Sequence, residues 1–244
     1  MGDLAYAYAQ GSLVGGLATE ADIDVVLVWG GQLPERSRWP PAGLADLDPA
    51  PAVFHQEPSF VVDRVWRAGQ QFDVAHITRH EIDGWADAVE AGERRSGYPM
   101  PAIGIHGLLA GIVLADENGY AAAVRSRVAS VPAAFRRTAR MQAETASAYL
   151  QELERCVERG DHLLFHSLAV DAIRAGFIAW FAAGDRYWPH EKRLSQRLQL
   201  LGHPDLAELE RRAWLGETLA VRLAAIRELL ARLNKSPLGE DGPD

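Results

Sequence analysis

Asp22 and Asp24 stand two residues apart at the head of an apolar, β-branched run, Ile23-Asp24-Val25-Val26-Leu27-Val28-Trp29. Side chains alternate between faces along a strand, so both carboxylates project to one side. Held that close, they repel each other unless a cation lies between them. Hard oxygen donors of this kind suit Mg²⁺, which keeps part of its water shell and takes further oxygens from a phosphate chain. Upstream, Gly11-Ser12 marks a tight turn whose backbone N–H groups and hydroxyl suit phosphate oxygens. Nine residues separate Ser12 from Asp22, enough for one helical turn and a return to a neighbouring strand. A third acid, Asp73, enters on a later strand-like segment, and if that strand lies beside 22–29 the three acids cluster at one sheet edge. Two-metal phosphoryl transfer uses such a set: the ions bind a triphosphate, and the third acid helps activate the attacking hydroxyl. Singly, a Gly-Ser pair is usually a turn and an Asp-x-Asp a solvated strand edge. Their order and spacing together make the pattern specific.

The elements that must position these residues are legible in outline. Leu4 to Ala9 reads as a short buried strand running into the Gly11-Ser12 turn, with a weak helical turn over Leu13 to Ala18. Ile23 to Trp29 is a strand stopped by Gly30-Gly31. Residues 32–52 carry five prolines and read as a surface loop. Segments 60–66 and 72–77 form a hairpin joined around Ala68-Gly69, and an amphipathic helix follows over Arg79 to Ala91. After about residue 118 strand patterns give way to helical ones, over 119–130, 133–159, 161–183, 190–201 and 205–234. The expected class is α+β: a small mixed-sheet domain over 1–118, a helical bundle over 119–235 and a frayed tail over 236–244.

The stretch from Gly11 to Val25, GSLVGGLATEADIDV, resembles the signature of the DNA polymerase β-like nucleotidyltransferase superfamily. Within it the chain is similar to small bacterial enzymes related to the aminoglycoside (kanamycin-type) and lincosamide nucleotidyltransferases, which implies antibiotic-resistance-like chemistry. The family's phosphate-binding Gly-Ser falls on Gly11 and Ser12, and its metal-binding carboxylates fall on Asp22 and Asp24. Its third carboxylate falls on Asp73. Gly107-Leu108-Leu109 and the segment Val113 to Gly119 look like the family's lead into a helical domain. Asp185 to Leu194 resembles a family stretch with an aromatic-Pro turn before a lysine, which places Lys192 at the triphosphate. The resemblance spans roughly residues 4–200, with only the first motif highly specific; relatives commonly have Ser where this chain has Ala21.

The resemblance implies an enzyme that transfers a nucleoside monophosphate from an NTP to a hydroxyl acceptor and releases pyrophosphate. It also implies two Mg²⁺ ions, ATP as the expected triphosphate and an aminoglycoside- or lincosamide-like small molecule as acceptor. GTP, CTP and UTP stay open, because base contacts come from loops with no readable code. The general base is either Asp73 or a helical-domain glutamate such as Glu144. Two alternatives stand beside this reading: a toxin-like enzyme modifying tRNA or protein, and a non-catalytic nucleotide-binding regulator of the same fold. Nucleic acid is the less favoured partner, since no Lys/Arg stripe interleaves with aromatics. Related enzymes often dimerise, so a homodimer is the oligomeric expectation.

Bulk properties set the frame. Residues 1–118 hold 7 basic and 17 acidic side chains, against 18 and 16 over 119–244, so the front half repels phosphates unless divalent cations intervene. No run of about 18 uncharged apolar residues occurs, so no membrane span is expected. Met1-Gly2-Asp3-Leu4 lacks the basic segment of a signal peptide, and the single cysteine, Cys156, suits a reducing compartment. The expected location is cytoplasmic. His76 should point away from Asp73, His162 and His166 read as an ordinary helix pair, and Trp180, Tyr187 and Trp188 read first as core.

Overall fold

The computed structural model describes residues 4–17, 22–33, 53–56, 60–93, 100–116 and 118–235. Most of the Pro-rich loop, Ala18 to Ala21, Glu117 and the tail from Ser236 lie outside the described residues.

Six strands form one mixed sheet: β1 (Leu4–Gln10), β2 (Ile23–Trp29), β3 (Val53–Gln56), β4 (Val61–Arg67), β5 (Gln70–Thr78) and β6 (Ile112–Ala115). Their order is β3-β4-β5-β2-β1-β6, and among the described residues only the β2–β5 pairing is parallel. The β4–β5 hairpin has the expected two-residue turn, with Ala68 and Gly69 both at positive φ (51° and 79°), the backbone that matches the twist of the flanking strands. That turn fixes the register of the pair. Because side chains alternate, β2 presents Asp24, Val26 and Val28 on one face, in register with Asp73, Ala75 and Ile77 of β5. On β1, Tyr6, Tyr8 and Gln10 share that face.

α1 (Gly11–Val14) follows β1 directly, two residues earlier than the periodicity of Leu13 to Ala18 suggested. α2 spans Arg79–Ala91 as expected, and its apolar stripe, Ile82, Trp85, Ala86 and Val89, is buried. The α3–β6 unit is a finding that the sequence reading folded into a connecting segment. α3 (Pro101–Ala110) starts with Pro at its first position, where a missing N–H costs nothing, and ends where Gly111 leads into β6. Strand β6 is only four residues long, so its apolar run carries too little alternation to read. Asp116 then accepts from Ala121 N (3.0 Å) and Ala122 N (3.1 Å), satisfying two open donors of α4 (Tyr120–Arg127). Tyr120 in turn donates to Asp83 Oδ1 of α2 at 3.0 Å, with the Arg79 guanidinium 4.3 Å from its ring. Burial and Asp83 push the Tyr120 phenol well above the ordinary range.

The remaining helices are α5 (Ala133–Ala146), α6 (Tyr149–Arg159), α7 (His162–Ala183), α8 (Leu194–Leu200), α9 (Pro204–Leu215) and α10 (Leu219–Lys235). Two long expected helices are each divided. The 133–159 stretch breaks at Ser147-Ala148, where the Ser147 hydroxyl donates back to Ala143 O and its N–H is shared between Ala143 O and Glu144 O. The 205–234 stretch breaks after Gly216, and Thr218 Oγ1 accepts from Val221 N to start α10. α8 begins at Leu194 instead of 190, because Pro189 precedes two residues at positive φ, His190 (94°) and Arg193 (59°).

The chain groups into two compact units, Met1–Ala88 with Gly97–Ala129 and Val89–Ser96 with Ser130–Asp244. α4 groups with the sheet rather than with the helices that follow. In the second unit α7 is the central element, contacted by α5, α6 and α10. By length and composition alone α7 is apolar enough to cross a membrane, yet it carries Asp171 and Arg174, and its buried residues pack inside the bundle. Asp161 caps it by accepting from Leu164 N at 3.1 Å. Phe177 stacks on Trp188 and Phe181 meets the same indole edge-on, so Trp180, Tyr187 and Trp188 are core residues as read from sequence.

Gly176 on α7 sets the approach of α10, since a Cβ there falls 2.8 Å from Leu230 Cδ2 and 3.2 Å from Leu233 Cδ1. Gly176→Ala is expected to be close to neutral, the gain in helix propensity offsetting a small shift of two flexible leucines. Gly176→Leu is expected to destabilise the second unit by about 1–3 kcal/mol through overpacking, read as a lower urea midpoint.

Candidate metal and phosphate site

The three aspartates expected to act together do converge. Asp24 and Asp73 face each other in the parallel β2–β5 register, and Asp22 directly precedes β2. One carboxylate oxygen from each of Asp22, Asp24 and Asp73 lies within 4.8 Å of the others, the one such group among the described residues. All three are half-buried. Parallel pairing is what makes this possible. It aligns the starts of the two strands, so both acids sit at the same end of the sheet on the same face.

Gly11 brings the turn against this cluster. Its φ is +90°, and a Cβ at this position falls 2.0 Å from Asp24 Oδ2. Glycine is therefore required twice, by the backbone conformation and by the space that the carboxylate occupies. Ser12 is buried, and its hydroxyl has no hydrogen-bond partner among the described residues. A buried hydroxyl of that kind calls for a ligand to satisfy it. Gly15 N–H closes the turn onto Gly11 O at 3.0 Å, and Leu17 N–H onto Ser12 O at 2.8 Å.

Arg64 is the residue that sequence reading passed over. Its guanidinium grips Asp73 with both prongs, Nε to Oδ1 at 2.8 Å and Nη2 to Oδ2 at 2.7 Å, while Gln71 Nε2 donates to Oδ1 at 3.1 Å. The hydrogen bond to Asp73, then the charges of Asp73 and Asp22, hold Arg64 above its ordinary pKa. The cluster's negative charge thus has one cation already beside it. Arg64 is 43% exposed against 16% for Asp73, so the pair is solvent-screened and Arg64 has room to move off. Its signal was present in the hairpin: counting back from the Ala68-Gly69 turn sets Arg64 opposite Asp73.

The other candidates have the following surroundings. His76 lies on the opposite face from Asp73, as alternation required, buried with Trp29 Nε1 donating to its Nδ1 at 3.1 Å and Asp63 3.2 Å from its Nε2. The acceptor role of Nδ1 leaves the proton on Nε2, toward the carboxylate. Lys192 is exposed in the turn before α8, its backbone N–H donating to His190 Nδ1 at 3.0 Å. Glu144 is an exposed residue of α5 that accepts from Arg140 Nε at 2.9 Å, one turn back. His166 Nε2 takes a hydrogen bond from Arg222 at 3.0 Å, which leaves that nitrogen unsuited to a metal. Cys156 is buried, and burial pushes its thiol up, away from the reactive thiolate.

Residues 99–194, under half of the chain, match a family described as a domain of unknown function, DUF4037. No curated protein matches. Among solved structures the chain is similar to a nucleotidyltransferase-like protein from Exiguobacterium sibiricum 255-15, at 12% identity and a TM-score of 0.44, over 94% of this chain and 69% of that one.

Two substitutions test the geometry. Gly11→Ala is expected to displace the Asp24 carboxylate, at a backbone cost of about 1–2 kcal/mol, and to abolish Mg²⁺ or Mn²⁺ binding seen by calorimetry. Arg64→Met removes the cation competing for Asp73 and is expected to tighten divalent-ion binding by about threefold to tenfold. Unchanged affinity in Arg64→Met would separate Asp73 from the ion site.

Proposed function

We propose that this chain is a metal-dependent nucleotidyltransferase that moves a nucleoside monophosphate from an NTP to a hydroxyl acceptor. The observation that carries the reading is the convergence of Asp22, Asp24 and Asp73 beside the Gly11-Ser12 turn. Three carboxylates at this spacing fit Mg²⁺, and bound Mg²⁺ supplies charge neutralisation and orientation of a triphosphate. Asp22, Asp24 and Asp73 hold it, with two ions expected. Gly11 lets the backbone approach the phosphates while keeping Asp24 in place. The Ser12 hydroxyl donates to a phosphate oxygen, which satisfies an otherwise unpaired buried group. Arg64 orients the Asp73 carboxylate with both prongs, and its exposed guanidinium is placed to meet phosphate charge. Asp73 accepts the acceptor's hydroxyl proton, the hydroxyl oxygen bonds to the α-phosphorus, and the bond to pyrophosphate breaks.

ATP as the triphosphate, an aminoglycoside- or lincosamide-like acceptor, Lys192 at the triphosphate, a cytoplasmic location and a homodimer all rest on the resemblance of the Gly11 to Val25 stretch and of Asp185 to Leu194. They belong to this proposal.

The test is Mg-ATP binding by calorimetry in the wild type and in an Asp22→Asn/Asp24→Asn double variant, followed by incubation with Mg²⁺, each labelled NTP, and panels of antibiotics and tRNA. The wild type is expected to bind Mg-ATP and label an antibiotic with release of pyrophosphate, and the double variant to do neither. Equal Mg-ATP binding by both proteins sinks the metal assignment, and label appearing on tRNA alone moves the acceptor to nucleic acid.

A further inference from the structure

The second unit contains a cavity of about 400 Å³ walled by α7, the turn before α8, the start of α8, and α9. That volume lies within the roughly 300–1,000 Å³ typical of small-molecule pockets. Its walls are mainly apolar, with the indoles of Trp188 and Trp214 and the aliphatic side chains of Val170 and Ile173. Three charged residues also line it, and they are unequal. Arg174 Nε donates to Glu191, so these two neutralise each other. Glu210 instead accepts from two neutral donors, Trp214 Nε1 at 2.8 Å and the Ser195 hydroxyl, and among the described residues it has no ion pair. Its carboxylate is fixed in orientation while its charge goes uncompensated against an apolar wall. Such a charge is costly to keep unless something cationic meets it.

Trp188 is 1% exposed, and its indole N–H has no acceptor among the described residues. Its ring stacks on Phe177, so Trp188 backs the cavity wall without opening its N–H to it.

We propose that this cavity binds a small organic cation with an apolar body: an ammonium group at Glu210 and the apolar body against Trp214, Val170 and Ile173. The Trp214 indole favours a cation further, through attraction to its ring face. A polyhydroxylated amine is a poor fit, because most of the wall offers its hydroxyls nothing to bond. The site lies within the second unit and does not depend on the nucleotidyl-transfer reading, so either assignment can fail without the other.

The test titrates the full chain with 2-amino-1-phenylethanol by calorimetry. Comparison ligands are 1-phenylethanol, which lacks the ammonium, 2-phenylethylamine, which lacks the hydroxyl, and glucosamine, which lacks the apolar body. The amino alcohol and 2-phenylethylamine are both expected to bind on the order of tenfold more tightly than 1-phenylethanol, with glucosamine the weakest. Glu210→Gln is expected to bring the amino alcohol and 1-phenylethanol within about twofold of each other. Equal affinity of amine and neutral alcohol for the wild type overturns the proposal without any variant, as does no binding up to about 10 mM. Tighter binding of glucosamine overturns the apolar body.

Discussion

Mutual repulsion among three carboxylates is the constraint to which the first unit is built. Bringing one oxygen from each of Asp22, Asp24 and Asp73 within 4.8 Å raises the energy of the fold, and the surrounding structure has to bear that cost. The parallel β2–β5 pairing bears it mechanically. Seven consecutive residues of each strand are in register, from Ile23 opposite Phe72 to Trp29 opposite Thr78, so neither acid can slip away without breaking the centre of the sheet. The flanking antiparallel neighbours, β1 on one side and β4 on the other, lock the pair in place. The single parallel ladder thus lies where the acids are, and the sheet's other pairings serve to hold it.

Arg64 bears the same cost electrostatically. Its two-pronged grip on Asp73 comes from the adjacent strand, and Gln71 adds a neutral donor to one of the same oxygens. The arrangement brings a positive charge against the carboxylate cluster. A divalent cation offers more charge at shorter range, so the grip and an ion compete for the same carboxylate. The exposure of Arg64 makes the exchange inexpensive, because the displaced guanidinium passes into water or onto phosphate rather than into an apolar core. Stability without an ion and affinity for one therefore pull in opposite directions through a single side chain.

How much of this was legible in the sequence depends on the range of the interaction. Alternation placed Asp22 and Asp24 on one face, set His76 on the opposite face from Asp73, and gave β2 and α2 their bounds. Those are local properties, written in periodicity and stop signals. The convergence of Asp73 was conditional on a strand neighbour more than forty residues away, which no local pattern specifies. Arg64 is the instructive omission: the Ala68-Gly69 turn set its register opposite Asp73, yet an isolated arginine on a strand carries no motif. The α3–β6 unit was missed because four apolar residues after a glycine do not distinguish a strand from a buried turn of helix. In the helical half, periodicity found the helices but ran through the breaks at Ser147 and Gly216, where a back-bonded hydroxyl and a capping threonine act over a single turn.

The Trp188 cavity belongs to the part that no sequence pattern reaches. Its residues come from α7, α8, α9 and the turn before α8, spread from Val170 to Trp214, and nothing in their spacing distinguishes them from core. What marks the place is a mismatch between burial and satisfaction. Arg174 and Glu191 cancel, as paired charges on a helical surface usually do, whereas Glu210 is held by neutral donors and the Trp188 N–H by none. A bundle selected only for stability has a near-isosteric alternative in Gln at 210, which removes the unpaired charge. An acid kept there, beside the Trp214 indole, is the pattern of a surface shaped for something other than its own packing. The same logic singles out Ser12 in the first unit, where a buried hydroxyl without a partner stands next to the acids. Placed beside the acids, that hydroxyl sharpens what the charges around it suggest. Charge is common on any protein surface, and a buried donor left unpaired is rare.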